Sequence, residues 1–378
     1  ISFSFGTMIL FYVVVFLSIL YCFVMLNYWM SWKQIPVFEA IIPQPAISFS
    51  IVIPARNEEQ NIAALIEDIQ KQNYPAHLFE LIIVDDHSTD HTATIVKSYP
   101  GIKLVQLSGL QINSYKKKAI ETGISVAANE WIVTTDADCR VSPQWLSILS
   151  SFIEEKKPVM VAGPVFMRYQ NKALQIFQSL DFLILQGITG AAIHHKMHSM
   201  GNGANLAYQK KIFNEVGGFS GIDQIASGDD MLLVHKMRLK YPEGISYLKS
   251  PQAIVCTEAE KTWKSFFSQR IRWASKARKY QDKKLFPILL MVYLFNVSFF
   301  VLLAAGFWSF EYWIALLAML FVKALIEIPF FISVAKFFKQ TQLIKSFILF
   351  QPLHIFYTVC SGFMGQLGRY EWKGRKVQ

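Results

Sequence analysis

Two aspartates one residue apart, Asp136 and Asp138, close the apolar run WIVTT at residues 131–135. Such a run reads as a buried strand, and open α/β sheets bind ligands at the carboxyl ends of their strands. Carboxylates this close repel unless a cation lies between them. A hard divalent ion held by one or two carboxylates completes its shell with waters and substrate phosphates. The pair is a candidate metal site for phosphate chemistry; so short a pattern also leaves a solvated turn open.

Other stretches carry chemistry of the same kind. Asp85 and Asp86 end the run LIIV at residues 81–84 and precede Ser88, Thr89 and Asp90. They could accept hydrogen bonds from a nucleoside, or the cluster could only cap the following helix. Asp229 and Asp230 precede the apolar MLLV; one acid raised in pKa by its partner and by burial could act as a general base, or both could be helix caps. The loop Gly201-Asn202-Gly203-Ala204-Asn205 lets backbone amides approach a polar ligand. Tyr115 is followed by three lysines, Lys116, Lys117 and Lys118, at the start of a helix, where cations oppose the macrodipole. They are an exposed charge run, or one of them reaches a diphosphate. His194, His195 and His198 lack the carboxylate or cysteine companions of a metal site.

The elements that must position these groups alternate. Residues 49–54 read as a strand, 60–72 as a helix with Ile62, Leu65, Ile66 and Ile69 on one face, and 81–84 and 102–107 as strands. Residues 115–128 read as a helix, 131–135 and 159–163 as strands, and 173–190 as a helix. Alternation of this kind predicts a mostly parallel sheet covered on both faces.

The chain has 378 residues, 53% hydrophobic and 15% aromatic, enough for one sizeable soluble domain plus membrane segments. Residues 1–32 carry no charge, and 8–28 exceed the roughly 20 apolar residues a spanning helix needs. They lack the basic start and small-residue exit of a cleaved signal peptide and read as an anchor. Residues 285–310 and 346–368 are uncharged, and 312–335 carry only Lys323 and Glu327. One N-terminal and about three C-terminal membrane segments are expected. The formal charge of +10 is concentrated in Arg270, Arg272, Lys276, Arg278, Lys279, Lys283 and Lys284, just before a membrane segment. Anionic headgroups and the positive-inside rule explain this cluster better than nucleic acid, and they make the central domain cytosolic. Cys22, Cys139, Cys256 and Cys360 have no paired spacing, which predicts reduced thiols and no zinc site.

Taken in order, these stretches resemble the membrane-anchored family-2 inverting glycosyltransferases of the GT-A fold, which include ceramide glucosyltransferases and processive polysaccharide synthases. The likeness runs over roughly residues 50–273, through IVIPARNE (51–58), VDDHSTD (84–90), DAD (136–138), GNGAN (201–205), GGF (217–219), Asp229-Asp230 and QRIRW (269–273), the last matching a Q-x-x-R-W signature. The resemblance implies an α/β catalytic domain at 48–261, after an anchor at 1–33 and a linker at 34–47. An interfacial helix at 262–284, membrane segments at 285–368 and a basic tail at 369–378 would follow.

It also implies roles. Pro54, Ala55, Asn57 and Glu58 would line the nucleotide pocket, Asp85 or Asp86 would read the uracil of a UDP-sugar, and Lys116 would lie near the nucleotide. Asp136 and Asp138 would hold Mg²⁺ or Mn²⁺, and Asp230 would deprotonate the acceptor hydroxyl. Gly201, Asn202, Gly203, Asn205, Gln269, Arg272 and Trp273 would surround the diphosphate and acceptor. Two positions depart from the family: Asp229 stands where a glutamate is usual, and Tyr115 where a glycine usually precedes the basic residue.

The implied protein is a multi-pass cell-membrane enzyme with its catalytic domain in the cytosol, a UDP-sugar donor and a membrane-associated acceptor. So few membrane segments favour a single transfer to a lipid over a polysaccharide extended through a channel. A nucleotidyltransferase would have no use for QRIRW, and an inactive scaffold would be expected to have lost some of the acids. Residues 346–368, interrupted by Gln351, Pro352 and His354, are expected to be re-entrant or interfacial, returning Arg369, Lys373, Arg375 and Lys376 to the cytosol. Lys323 and Glu327, four apart in a membrane helix, should pair or line an acceptor groove.

Overall fold

The computed structural model describes residues 5–39, 46–109, 114–225, 227–276, 282–367, 370–372 and 375–377. Part of the expected linker, Arg278, Lys279 and Tyr280 of the expected interfacial segment, and Arg369 and Lys373 of the expected tail lie outside the described residues.

In chain order the elements are α1 (Phe5–Gln34), β1 (Phe49–Ala55), α2 (Ile62–Gln70), β2 (Phe79–Asp85), α3 (Thr92–Lys97), β3 (Lys103–Gln106), α4 (Tyr115–Val126), β4 (Trp131–Thr134) and α5 (Trp145–Lys156). Then come β5 (Met160–Ala162), β6 (Val165–Arg168), α6 (Ala173–His194), β7 (Leu206–Gln209), α7 (Lys210–Glu215), α8 (Met231–Lys240), β8 (Ile245–Tyr247) and β9 (Val255–Glu258). The remainder is α9 (Trp263–Ala274), α10 (Leu285–Ala305), α11 (Phe310–Phe337), α12 (Ile344–Phe347), α13 (Gln351–Gly365) and a pair of short strands, β10 (Tyr370–Trp372) and β11 (Arg375–Val377). Two compact units result. One comprises the described residues of Ile35–Tyr169, Ala192–Ala259 and Glu371–Gln378, the other those of Ile1–Gln34, Gln170–Ala191 and Glu260–Tyr370.

The first unit is α/β. Its seven-stranded sheet runs β3-β2-β1-β4-β7-β5-β8. The first four strands are parallel, β7 is antiparallel to both neighbours, and β8 is parallel to β5. The central strands are continuous apolar runs because helices cover both faces: Ile51, Val52 and Ile53 of β1 and Ile82, Ile83 and Val84 of β2 are fully buried. On α2, Ile62, Leu65, Ile66 and Ile69 form the buried stripe expected from their spacing. On α4, Gly123 lets the helix lie close to the sheet, since a Cβ there would come within 2.4 Å of Val52 Cγ1.

Strand register aligns the carboxyl ends: Ala55 pairs with Asp85, Asp85 with Gln106, and Val52 with Thr134. The chain builds outward from β1 through β2 to β3, then returns to place β4 on the other side of β1. The crevice beyond the ends of β1 and β4 is therefore the topological switch point, where such sheets bind ligands.

The second unit is helical. Helix α1 from Met8 onward, α6, α10 and α11 are long and apolar enough to cross a bilayer, and the helical segments Thr341–Phe347 and Gln351–Gly365 meet at a bend of 79°. Pro352 in the first turn of α13 suits that break, because it has no N–H to donate into a continuing helix. Tyr12, Phe16, Ile19 and Phe23 of α1 are exposed, as are Phe307 and Trp308 between α10 and α11 and Phe310 at the start of α11. Aromatic residues at that turn suit a membrane–water boundary.

Helix α6, expected from the sequence as part of the soluble domain, groups with the helical unit as far as Ala191. The reason is apolarity around most of its circumference, with 78% of an apolar 18-residue stretch of it buried. Gly187 lies close enough to α11 that a Cβ would meet Val334 Cγ2 at 2.5 Å.

Candidate active site

At the switch point the β1–α2 and β2–α3 loops are stapled to each other. Asn57, in the left-handed region at φ 52°, accepts at Oδ1 from Thr89 N (2.8 Å), while its own N–H donates to Ser88 Oγ (3.0 Å). Glu58 N donates to Thr92 Oγ1 (2.8 Å) and Glu59 N to Asp90 Oδ2 (3.1 Å). Arg56 Nη1 donates to the carbonyls of Asp86 (2.7 Å) and His87 (3.2 Å), and Ala55 O accepts from Asp86 N. Asp85 and Asp86 are both buried; Asp85 Oδ1 accepts from Ser88 N, and Asp86 Oδ1 lies 3.1 Å from His87 Nδ1. The side chains of Asn57, Ser88, Asp90 and Thr92 thus build the loop pair, which follows Pro54 and Ala55 at the end of β1.

Across the crevice, Lys116 in the first turn of α4 joins two acids that are far apart in sequence. Its Nζ lies 2.7 Å from Asp136 Oδ1, just past β4, and 3.0 Å from Asp229 Oδ2, just before α8. Burial by itself lowers the Lys116 pKa, but Asp136 and Asp229 outweigh that and hold the ammonium above the ordinary lysine value. Asp230 caps α8, accepting from Met231 N at 2.7 Å, and its other oxygen accepts from Gly203 N at 3.3 Å. Thr134 Oγ1 donates to Gly203 O at 3.1 Å. Gly203 has no room for a side chain, since a Cβ would stand 2.9 Å from Asp229 Oδ2. Lys116, Asp136, Gly203, Asp229 and Asp230 therefore form one cluster.

Asp138 faces other partners. Thr257 Oγ1 of β9 donates to its Oδ2 at 3.2 Å, and the buried Cys139 thiol lies 3.8 Å from its Oδ1. Burial pushes that thiol up, and the neighbouring carboxylates of Asp138 and Asp136 add to the shift. Among the described residues no group of three or more His, Cys, Asp and Glu side chains could hold a metal. A cation at Asp136 and Asp138 would need further donors from its ligand.

The rest of the GNGAN loop is internal scaffold. Asn202 accepts from Ala204 N at 3.0 Å. The buried Asn205 donates from Nδ2 to Pro164 O and Ala253 O, both at 2.9 Å, and accepts from Trp145 Nε1 at 3.1 Å. Gly163 packs against it so closely that any Cβ would overlap the amide. In the helical unit, Gln269 Nε2 donates to Glu260 Oε1 at 3.2 Å, and Arg272 and Trp273 are half-buried. The arginine between them and Gln269 is the buried one: Arg270 pairs with Asp181 of α6 at 2.7 Å, and its guanidinium lies 4.2 Å from the Trp273 ring centroid.

Residues 50–225 match the Glycosyl transferase family 2 model. Over that stretch the chain is similar to the family 2 glycosyltransferases. It is 27% identical over 282 residues to the probable glycosyltransferase YdaM of Bacillus subtilis, covering 68% of this chain and 64% of that protein. It is 31% identical over 157 residues to the dodecaprenyl-phosphate galacturonate synthase of Rhizobium johnstonii (40% and 46%), and 23% over 249 residues to the poly-beta-1,6-N-acetyl-D-glucosamine synthase of Staphylococcus epidermidis (65% and 58%). The chain thus spans less than two thirds of the length of these relatives. Its fold is similar to that of the mannosyltransferase PcManGT of Pyrobaculum calidifontis, solved with GDP-Man and Mn²⁺. The TM-score is 0.59 at 21% identity, over 92% of this chain and 98% of the other. The GT-A architecture with a mostly parallel central sheet is the one expected from the sequence.

Two residues of the α/β unit have roles that only the structure assigns. Lys117 is buried and donates to the carbonyls of Ile222 (2.6 Å), Ile225 (2.7 Å) and Ser227 (3.0 Å), bracing the loop that leads to Asp229 and Asp230. The signal was present: Lys117, Ile120 and Ile124 follow i, i+3, i+7 and share the buried face of α4. Lys118 remains near the surface, 3.8 Å from Glu121. The second, Asn205, had no signal, because all three of its partners lie in other segments.

Proposed function

We propose that the chain moves a sugar from a UDP-sugar to a membrane-associated acceptor, a lipid hydroxyl first, with inversion at the anomeric carbon. The carrying observation is the convergence of Asp136, Asp229, Asp230 and Gly203 around Lys116 at the switch point. In this reading Pro54, Ala55, Asn57 and Glu58 border the nucleoside, and Asp85 or Asp86 accepts from the uracil. Asp230, oriented by the Met231 and Gly203 N–H groups, takes the acceptor proton. The acceptor oxygen bonds to the anomeric carbon as the bond to UDP breaks. Gln269, Arg272 and Trp273 are assigned to the diphosphate and acceptor.

The donor set suits a hard divalent ion. Both acids offer oxygen, Asp136 already balances a cation in Lys116, and Asp138 is oriented by Thr257. Mg²⁺ or Mn²⁺ held by Asp136 and Asp138 would offset the charge appearing on the leaving diphosphate. The Mn²⁺ in the mannosyltransferase complex supports divalent metal use. The apolar helices and the synthase named for dodecaprenyl phosphate support a lipid acceptor, and the basic residues just before the membrane segment at 285 support a cytosolic catalytic face. The relative named as a poly-N-acetylglucosamine synthase favours a second reading, in which the acceptor is a growing glycan.

The test is UDP release from a panel of UDP-sugars by the purified chain with membrane lipids and Mn²⁺. Asp230→Asn is expected to lower turnover by about 10²–10⁴-fold. Turnover that survives this change removes Asp230 as the base. A ladder of polymers in place of one product selects the glycan reading.

A further inference from the structure

We propose that Lys116 holds the place of the divalent ion in the donor-free protein and so makes metal binding conditional on the donor. The inference rests on the reading of Asp136 as a metal ligand. Its basis is geometric. The Lys116 ammonium bridges Asp136 Oδ1 at 2.7 Å and Asp229 Oδ2 at 3.0 Å, joining carboxylates from β4 and α8 that would otherwise repel. Gly203 makes the bridge possible. A Cβ there would lie 2.9 Å from Asp229 Oδ2 and 3.4 Å from Lys116 Nζ.

The two candidate metal ligands are treated differently. Asp138 accepts from Thr257 Oγ1 at 3.2 Å, whereas Asp136 is paired with the Lys116 ammonium at 2.7 Å. A hydrated divalent ion gives up its waters reluctantly and meets an Asp136 whose charge is already balanced. A bound diphosphate changes this, because its oxygens are alternative acceptors for the ammonium. Lysine suits such an exchange, being a compact charge on a flexible stem, and it sits in the first turn of α4, the end of a helix that favours anions. Donor and metal then bind cooperatively, and Asp229 supplies the second anchor that keeps Lys116 on Asp136 until the donor arrives.

The experiment measures Mn²⁺ affinity directly, by the electron paramagnetic resonance signal of free Mn²⁺. The purified full chain is compared with and without saturating UDP, after correction for Mn²⁺ held by UDP in solution. Wild type is expected to bind Mn²⁺ about tenfold or more tightly with UDP than without it. Lys116→Met is expected to bind Mn²⁺ about tenfold or more tightly than wild type when UDP is absent, and to gain little from UDP. Lys116→Arg should behave as wild type. Lys116→Gln, which keeps a donor for Asp136, replaces the Met variant should that fail to fold. If UDP tightens Mn²⁺ binding in wild type but neither neutral variant binds Mn²⁺ more tightly without UDP, this inference falls while the metal reading stands. If wild type binds no Mn²⁺ even with UDP, the metal reading falls and takes this one with it.

Discussion

At the scale of single residues, the polar side chains divide into those that face the crevice and those that hold it open. Asn205 was expected beside the diphosphate, from its place in a glycine and asparagine loop. Its amide is instead a buried joint between Pro164, Ala253 and Trp145. Asn205→Ala leaves two carbonyls and an indole N–H without their partner, and is expected to destabilise the α/β unit by about 2–4 kcal/mol. A lowered unfolding temperature with an unchanged donor KM in the folded fraction is the expected pattern. A raised KM at unchanged stability would return Asn205 to the ligand. Asp136, Asp229 and Asp230 stood out as candidates because acids flanking apolar runs are conspicuous. The resemblance pointed to Lys116, but the bridge it makes between Asp136 and Asp229 was not legible, because residue pattern alone does not distinguish three consecutive lysines until the helix face is known.

At the scale of elements, α4 is the organising helix: Lys116 reaches the acids, Lys117 braces the segment before α8, and Gly123 seats the helix on β1. A second lysine fastens the segment after α1. Lys249, following β8, donates from Nζ to Ile35 O at 3.1 Å, and its own carbonyl accepts from Phe38 N at 2.8 Å. Burial lowers the Lys249 pKa from 10.5 to about 8. Between those values the unfolded chain binds a proton that the folded chain does not, so this residue makes stability rise with pH across that window. The gain is about 3 kcal/mol between pH 8 and pH 10.5. Unfolding temperature measured over that range should therefore climb less in Lys249→Met than in wild type. Parallel profiles would show that Lys249 is charged in the folded protein.

At the scale of the whole molecule, the helical unit keeps a closed polar network within its apolar bundle. Lys323 is fully buried, with Nζ 2.6 Å from Glu327 Oε1 and 2.6 Å from Gln351 Oε1, while Gln351 Nε2 donates to Glu327 Oε2 at 2.7 Å and Tyr21 also donates to Glu327. Three helices, α1, α11 and α13, are joined by these groups, which makes the pair a fixed crosslink. The i, i+4 spacing predicted the Lys323–Glu327 contact; Tyr21 and Gln351 could not be predicted from it. Lys323→Ala leaves a buried carboxylate without its cation and is expected to cost about 3–5 kcal/mol. Lys323→Met with Glu327→Met should recover most of that, as read by thermal unfolding in detergent. A single variant as stable as the double one would mean that the charges are solvated.

By itself the sequence determined what short-range pattern can carry. Continuous apolar runs made the parallel sheet, acids after those runs marked its carboxyl edge, and long uncharged stretches marked the helical segments, with Pro352 at their break. Only the tertiary structure decided which groups meet. Lys116 rather than Lys117 bridges Asp136 and Asp229, Arg270 is the buried arginine of QRIRW, Asn205 is scaffold, and α6 belongs with the helices. The physical reason is that periodicity and burial are local properties of a chain. The partner of a charge is whatever distant segment the fold brings within about 3 Å, the reach of a hydrogen bond.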